Sequence, residues 1–437
     1  MDPRSGKLME FLTYLLNTGV RYCLLGNTDK LPEEISSDID IVISLEKFKN
    51  IYSVVNKFCK QYGCSIVQII EYAFNARHFV LVFETDQPGY HLLQIDFCSS
   101  YGYGAKEFTT ADILLQNSEF RAGKFWTLRP EYEFFYYFLK KTVKESINEE
   151  QFCYLQNVLS NSSENINAVL GDYFSGTTAV VIKDLFDNND FDQLKSKLKS
   201  FRHELFANSS FNLSNYLLAK WNRIKRVCRP TGLTVCFLGR DGSGKSYVSD
   251  NAVLSLRLVF PCQHKIHLYP GLIFSNQKKG SKIHEPHAQR PRNYVLSLLK
   301  LMLFFAEYTV GYLIKIFPLK IRSGLIIFDR YYHDILIDRI RYRQAKMMNP
   351  TLAVASLIPS PDLCFIIDAT SEVVVKRKGE LTFEKAEELR KSYLNFAATH
   401  KNSIIIGNSD ESEQANYQVQ KSVLTFLNKR IINRYGA

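Results

Sequence analysis

The sequence predicts an α/β protein in three parts: an N-terminal α+β domain over residues 1–128, a helical connector over 129–230, and a C-terminal domain with a parallel sheet over 231–437. Three observations predict it. Short apolar strands alternate with helical stretches through the first part. From about Glu131 to Ala219 the apolar residues recur at helical spacing. The run Thr234-Val235-Cys236-Phe237-Leu238 is a buried strand that leads through a glycine-rich loop into a helix, and two further apolar strands follow it. The length agrees, since 437 residues at roughly 150 per domain give two or three compact domains. Hydrophobic residues make up 46% and charged residues 23%, the composition of a chain that folds rather than a disordered one. Lysine and arginine total 55 against 44 acidic residues. The resulting net charge of +11 biases the surface toward phosphate-bearing partners, whether nucleotide, nucleic acid or anionic membrane.

Residues 7–19 read as a helix, and Tyr22 to Leu25 as a short strand ending at Gly26. Ile39-Asp40-Ile41-Val42-Ile43 is a strand that sets a carboxylate among β-branched residues. A helix follows from about Glu46 to Tyr62, then strands near Ser65–Ile70, His78–Glu84 and Tyr90–Cys98, the last two joined through Asp86, Pro88 and Gly89 as in a hairpin. In the connector, polar breaks at Asn161-Ser162-Ser163 and Asp187-Asn188-Asn189-Asp190 separate the helices. The aromatic group Tyr132, Phe134, Phe135, Tyr136, Tyr137 and Phe138 reads as core packing rather than a base-stacking platform. A basic run from Lys220 to Arg229, ahead of Pro230 and Gly232, marks the boundary and reads as a solvated linker, with nucleic acid the alternative partner. No internal repeat is visible, which excludes a solenoid.

The nine cysteines form no C-x-x-C pair and several sit inside apolar runs, so buried free thiols in a reducing compartment, the cytoplasm, are expected. The N-terminus lacks the basic flank, apolar stretch and cleavage site of a signal peptide. Tyr294 to Pro318 reaches the roughly 20 residues that a membrane crossing needs. Lys300, Glu307 and Lys315 interrupt it, so a long buried helix and no membrane span are expected. Cys262, His264 and His267 lie close together, as do His284 and His287. The first group spans a strand and the second a polar loop, and no metal site is expected from either.

The strongest chemical signal is Gly239-Arg240-Asp241-Gly242-Ser243-Gly244-Lys245-Ser246, a G-x-x-x-x-G-K-S pattern between a strand and a helix. Its glycines let the backbone curl so that several N–H groups face one phosphate, and the helix N-terminus adds positive partial charge. The spacing lets Lys245 reach the β- and γ-phosphates of ATP and the Ser246 hydroxyl ligate Mg²⁺. A second strand, Gly324-Leu325-Ile326-Ile327-Phe328, ends in Asp329-Arg330-Tyr331, an acid placed for a metal or its water beside an arginine placed for a phosphate. A third, Asp362 to Asp368, precedes helical Ser371 to Gly379, whose Lys376, Arg377 and Lys378 make it a candidate lid.

Together these residues resemble thymidylate kinase and its close P-loop kinase relatives over about Leu233 to the C-terminus. The resemblance implies that Asp241 contacts the acceptor's sugar, Arg330 the acceptor's phosphate, and Arg377 the transferred charge. Two stretches depart from the family. Material from His267 through the Tyr294 helix exceeds what a minimal nucleotide kinase needs, and Tyr332 to Arg343 is unlike the region that cradles thymine.

In the N-terminal domain, Asp38 and Asp40 lie two apart on a strand, so both side chains project from one face, and Asp96 on a later strand completes a candidate two-metal set. Gly26-Asn27, Ser37-Asp38-Ile39-Asp40 and Gln94-Ile95-Asp96-Phe97 resemble the DNA polymerase β-type nucleotidyltransferase superfamily over about residues 8 to 110, with Asn27 where that family carries serine.

The expected activity is ATP- and Mg²⁺-dependent phosphoryl transfer to a nucleoside monophosphate, dTMP-like, or another small phosphorylated acceptor. The alternative is a nucleotide-sensing or nucleotidyl-transferring module acting on a macromolecule, with the phosphate loop as an ATP switch. The sequence sets no oligomeric state.

Overall fold

A computed structural model of the chain describes residues 2–35, 38–85, 89–121, 123–162, 166–272, 293–343, 348–378, 381–408 and 412–436. Ser37, Asp86, Pro88, Ser163, Gly379 and the loop histidines His284 and His287 lie outside them. The chain divides into two compact units, Met1–Lys225 with Arg430–Ala437, and Arg226–Lys429.

The first unit carries β1 (Tyr22–Leu25), β2 (Ile39–Ile43), β3 (Cys64–Ile70), β4 (Ala76–Glu84), β5 (Tyr90–Cys98), β6 (Ser100–Tyr103), β7 (Lys106–Thr110), β8 (Ser118–Arg121) and β9 (Phe125–Leu128). β6 and β7 form their own ribbon, and the other seven make a mixed sheet in the order β3-β4-β5-β2-β1-β9-β8. β2 and β5 run parallel with Asp40 opposite Asp96, which brings two distant carboxylates to one place on the sheet. The first helix, Pro3–Asn17, begins four residues earlier than its apolar periodicity indicates, because Asp2 caps it by accepting from the Arg4 N–H and Pro3 fits its first turn. It buries Leu8, Phe11, Leu12 and Leu15, a helical stripe, against Ile41, Phe79, Ile95 and Phe97 of the sheet. The stretch read as one helix from Glu46 is two, Leu45–Lys49 and Ile51–Gln61, with Asn50 at ψ 10° between them.

Six helices follow: Pro130–Lys144, Glu149–Ser160, Ile166–Gly171, Gly176–Asp187, Phe191–Asn208 and Leu213–Cys228. The polar breaks are helix ends. Asp187 closes one helix, Asn189 takes a left-handed φ of 55°, and Asp190 caps the next by accepting from the Gln193 N–H at 3.0 Å. Phe134, Phe135 and Phe138 are core residues, Phe134 meeting Phe186 edge-on at 5.1 Å between ring centroids, while Tyr136 packs with Cys23, Leu25 and Val42 of the sheet.

The second unit is built on β10 (Leu233–Leu238), β11 (Gln263–His267), β12 (Leu325–Asp329), β13 (Leu363–Asp368) and β14 (Ser403–Gly407). All are parallel, in the order β11-β12-β10-β13-β14. Every residue of the central β10 is buried, as both faces of a parallel sheet require. One face, carrying Cys236, Leu238, Ile326, Phe328, Cys364 and Ile366, packs against Leu301, Phe304, Tyr308, Tyr332 and Tyr393.

The apolar stretch after Asn293 corrects one expectation. It is a helix, Tyr294–Gly311, continued by a π-helical turn and a short helix to Ile321, but it is not buried all round. Ser297, Leu301, Phe304, Tyr308 and Gly311 form the buried stripe, while Val295, Leu299, Met302, Leu313 and Ile314 are exposed. By length and composition this helix could cross a membrane, and a third of its most apolar window is buried.

Candidate active site

β10 is the strand at which the chain's winding reverses, with β12 on one side and β13 on the other. Ligands of open parallel sheets bind at the carboxyl ends of strands flanking such a point. There the chain forms the loop Gly239–Gly244, which opens into the helix Lys245–Ser255. Gly239 stands at φ 146° and Gly244 at φ 88°. A Cβ on the first would lie 2.6 Å from the Ile367 carbonyl oxygen, and on the second would collide with the Asn408 side chain, so both positions demand glycine on two counts. Asn408 fixes the loop, its Nδ2 donating to the Ser243 carbonyl at 2.8 Å.

Lys245 is buried, its Nζ donating to the Arg240 carbonyl at 2.8 Å and lying 3.7 Å from Asp241 Oδ1. Burial, and then the cation of Arg330, brings its pKa down to about 8. Two arginines converge on Asp241: Arg330 donates to Oδ1 and Arg341 to Oδ2. Burial works to raise the Asp241 pKa, and Arg330, Lys245 and Arg341 outweigh it, holding the carboxyl well below the ordinary value.

Arg330 follows β12 directly and donates its other guanidinium arm to Asp334. Asp334 is fully buried and also accepts from the Tyr342 hydroxyl at 2.7 Å and the Tyr393 hydroxyl at 2.6 Å. A buried carboxylate so surrounded locks the arginine above it. Asp329, the last residue of β12, is in register with Phe237 of β10 and His267 of β11, and its Oδ2 lies 3.5 Å from His267 Nδ1. Burial raises the Asp329 pKa, and His267, Lys245 and Arg330 together bring it below the ordinary value. With the exposed Ser246 in the first turn of the loop helix, it offers oxygen donors of the kind a divalent cation takes. Arg377, on the helix Ser371–Lys378, donates from Nη1 to the Gly242 carbonyl at 3.3 Å, so its cation lies against the glycine loop.

Arg240 has a different place from the rest of its loop. Its guanidinium is buried and donates to Ser371 Oγ and the Ala386 carbonyl at 2.8 Å each, and to the Ala369 carbonyl. The side chain thereby ties the loop to the segment after β13. Arg341, Asp334, Tyr393 and Asn408 belong to the site without a local sequence signal, apart from the four-residue spacing of Arg330 and Asp334. Of the cysteine and histidine group after β10, Cys262 Sγ lies 3.2 Å from His264 Nε2, while His267 turns to Asp329.

The first unit holds a second constellation. Asp38, His78 and Asp96 bring one ligand atom each to within 4.8 Å of one another. Asp96 accepts from the Tyr72 hydroxyl at 3.0 Å and lies 2.5 Å from His78 Nδ1. Asp38 and Asp40 both act on the Lys140 ammonium, and Asp40 stands opposite Asp96 of β5. Asp38 is exposed and precedes β2, while Asp40 is held by Lys140 at 2.7 Å from the helix Pro130–Lys144. Burial opposes the Lys140 charge, and Asp40 outweighs it, raising the lysine pKa. Asn27 folds onto its own turn, its Oδ1 accepting from the Asp29 N–H at 3.0 Å.

No protein-family model matches the chain, and no curated protein matches it. Among solved structures it is similar to a thymidylate kinase from Ehrlichia chaffeensis, at 20% identity over 44% of this chain and 98% of that chain, with a TM-score of 0.31. The fold and the site stand on the strand order and side-chain geometry described above.

Proposed function

We propose that the second unit transfers the γ-phosphoryl group of ATP, with Mg²⁺, to a small phosphorylated acceptor of the nucleoside monophosphate kind. The observation that carries this reading is the convergence of Lys245, Arg330 and Arg341 on Asp241 beside a loop whose glycines are sterically required. The loop N–H groups and Lys245 hold the β- and γ-phosphates, while Ser246 and Asp329 hold the metal directly or through water. Arg330 and Arg341 form an anion seat that the Asp241 carboxylate shares with an incoming acceptor phosphate. An oxygen of that phosphate attacks the γ-phosphorus, the bond to the β-bridging oxygen breaks, and ADP leaves with the electron pair. Arg377 faces the charge that develops on the transferred group. The departures of Tyr332–Arg343 leave the acceptor's base to a screen.

The test uses γ-labelled ATP with dTMP, dUMP, other monophosphates and sugar phosphates. Label is expected in an acceptor diphosphate, and lost in a folded Lys245→Ala variant. No labelled acceptor, or an unimpaired variant, overturns the reading.

A second reading, nucleotidyl transfer by the first unit, is favoured by the metal-ready approach of Asp38, His78 and Asp96. Its signature is α-labelled nucleotide attached to protein or RNA, lost in Asp38→Ala.

A further inference from the structure

Behind the phosphate loop, in the core of the second unit, three donors unconnected with phosphate chemistry meet. Cys236 of β10 and Cys364 of β13 are direct register partners on adjacent parallel strands, and their sulfurs lie 3.1 Å apart. A ring nitrogen of His333, from the helix Tyr332–Ile337, lies within 4.8 Å of both sulfurs. Cys236 is 0% exposed, and Cys364 and His333 are 2% exposed. His333 Nδ1 has no hydrogen-bond partner among the described residues. A buried polar atom left so is destabilising and calls for a ligand or a function.

We propose that Cys236, Cys364 and His333 form a buried zinc site that braces the strands beneath the phosphate loop. Two thiolates and one neutral imidazole are donors that zinc favours, whereas Mg²⁺ and Ca²⁺ require oxygens. Charge decides in the same direction. Two thiolates cancel one Zn²⁺, so the loaded site is neutral and an apolar core accepts it. Binding displaces one proton from each thiol, and the three protein donors leave one position of a tetrahedral centre open. With Zn–S near 2.3 Å and Zn–N near 2.0 Å, a tetrahedral centre sets the donors about 3.5–3.8 Å apart, so each moves by about 1 Å or less. A disulfide would instead need the sulfurs to close to about 2.05 Å and would still leave His333 without a partner.

The placement explains what the metal would do. Cys236 stands three residues before Gly239, His333 three after Arg330, and Cys364 four before Asp368. One ion would thus fasten the three segments that carry Gly239, Arg330 and Asp368. This inference does not rest on the phosphoryl-transfer reading and is tested without ATP.

The experiment uses the full chain, stripped with a chelator under reducing conditions and titrated with zinc, then with Co²⁺ as a spectroscopic probe. One zinc per chain, a raised melting temperature, and thiolate-to-cobalt charge-transfer absorption are expected. Cys364→Ala and His333→Leu should each lose tight binding, while the exposed Cys153→Ser should keep it. A folded parent chain that shows no thiolate–cobalt absorption overturns the proposal even where a core variant fails to fold. Equal metal uptake by folded Cys364→Ala overturns it as well, as does protection of the two thiols from alkylation by a disulfide in metal-free protein.

Discussion

The Arg330 guanidinium is clamped by Asp334, four residues further along the chain, while the Arg330 backbone stands in the left-handed region at φ 70°. A non-glycine residue held there costs about 1–3 kcal/mol and persists only where its surroundings over-determine it. Here they do, through the Arg330 N–H donating to the Phe237 carbonyl at 3.1 Å and through the carboxylates of Asp334 and Asp241. The strained backbone aims one guanidinium edge at the phosphate loop, and Asp334 keeps the other edge in the core.

Asp334→Asn keeps the shape and removes the charge, leaving Arg330 buried without half of its compensation. Breaking a buried pair of this kind costs about 3–5 kcal/mol. The expected outcome is an unfolding free energy, read from denaturant titration, lowered by that amount, together with a raised KM for the acceptor and a nearly unchanged ATP affinity. If the variant matches the parent in both, Asp334 is not the anchor of Arg330.

Lys245 gives a pH signature with two opposite arms. Its pKa in the folded chain is about 8, against about 10.4 in an unfolded chain, because burial and Arg330 disfavour its charge. Between those values the unfolded state binds more protons, so the ligand-free protein gains stability as pH rises from about 8 toward 10.4. ATP binding should run the other way and weaken above pH 8, where binding must first return a proton to the lysine. Calorimetry at pH 8.5 in two buffers of different ionisation enthalpy should show proton uptake on ATP binding. An affinity that stays flat from pH 7 to 9.5 would remove Lys245 from the phosphate contacts.

Arg377 is exposed and donates to the Gly242 carbonyl, so its loss leaves the fold intact. Removing one donor aimed at developing charge costs about 10²–10³ in kcat. Arg377→Ala should show that loss in single-turnover phosphoryl transfer while ATP binds within about threefold of the parent. Equal losses in binding and turnover would make it a ground-state contact instead.

What was legible in the sequence is what lies close together in it. The glycine loop, Asp329-Arg330 and Arg377 sit in short patterns whose local conformation, a strand end, a turn or a helix start, already implies their direction. Arg341 reaches Asp241 from 100 residues away, Tyr393 reaches Asp334 from 59, and Asn408 reaches the loop from 165, and no local propensity encodes those pairings. Arg240 is alike: its place in the loop says nothing of the partners on Ser371, Ala369 and Ala386 that bury its side chain. The Tyr294–Gly311 helix buries Ser297 and Glu307 while exposing Val295, Leu299 and Met302, so its apolar residues do not mark the buried side. The Lys140 partner of Asp40 was illegible for a related reason, since alternation places residues on a strand face but says nothing of a lysine arriving from a helix.

That lysine supplies the last prediction. Lys140 neutralises Asp40, whose register partner Asp96 belongs to the Asp38–His78–Asp96 group. The pair is partly exposed, with about a quarter of each side chain open to solvent, so it contributes no more than about 1 kcal/mol to stability. Lys140→Gln should therefore leave the melting curve nearly unchanged. It should also free Asp40 and remove a positive charge beside the carboxylates, which at about 1 kcal/mol corresponds to roughly fivefold tighter Mn²⁺ binding. Mn²⁺ titration followed by electron paramagnetic resonance reads this directly, with Asp38→Ala as the variant that abolishes the site. Weaker binding in Lys140→Gln would mean that the lysine positions Asp40 for the metal rather than standing in for it.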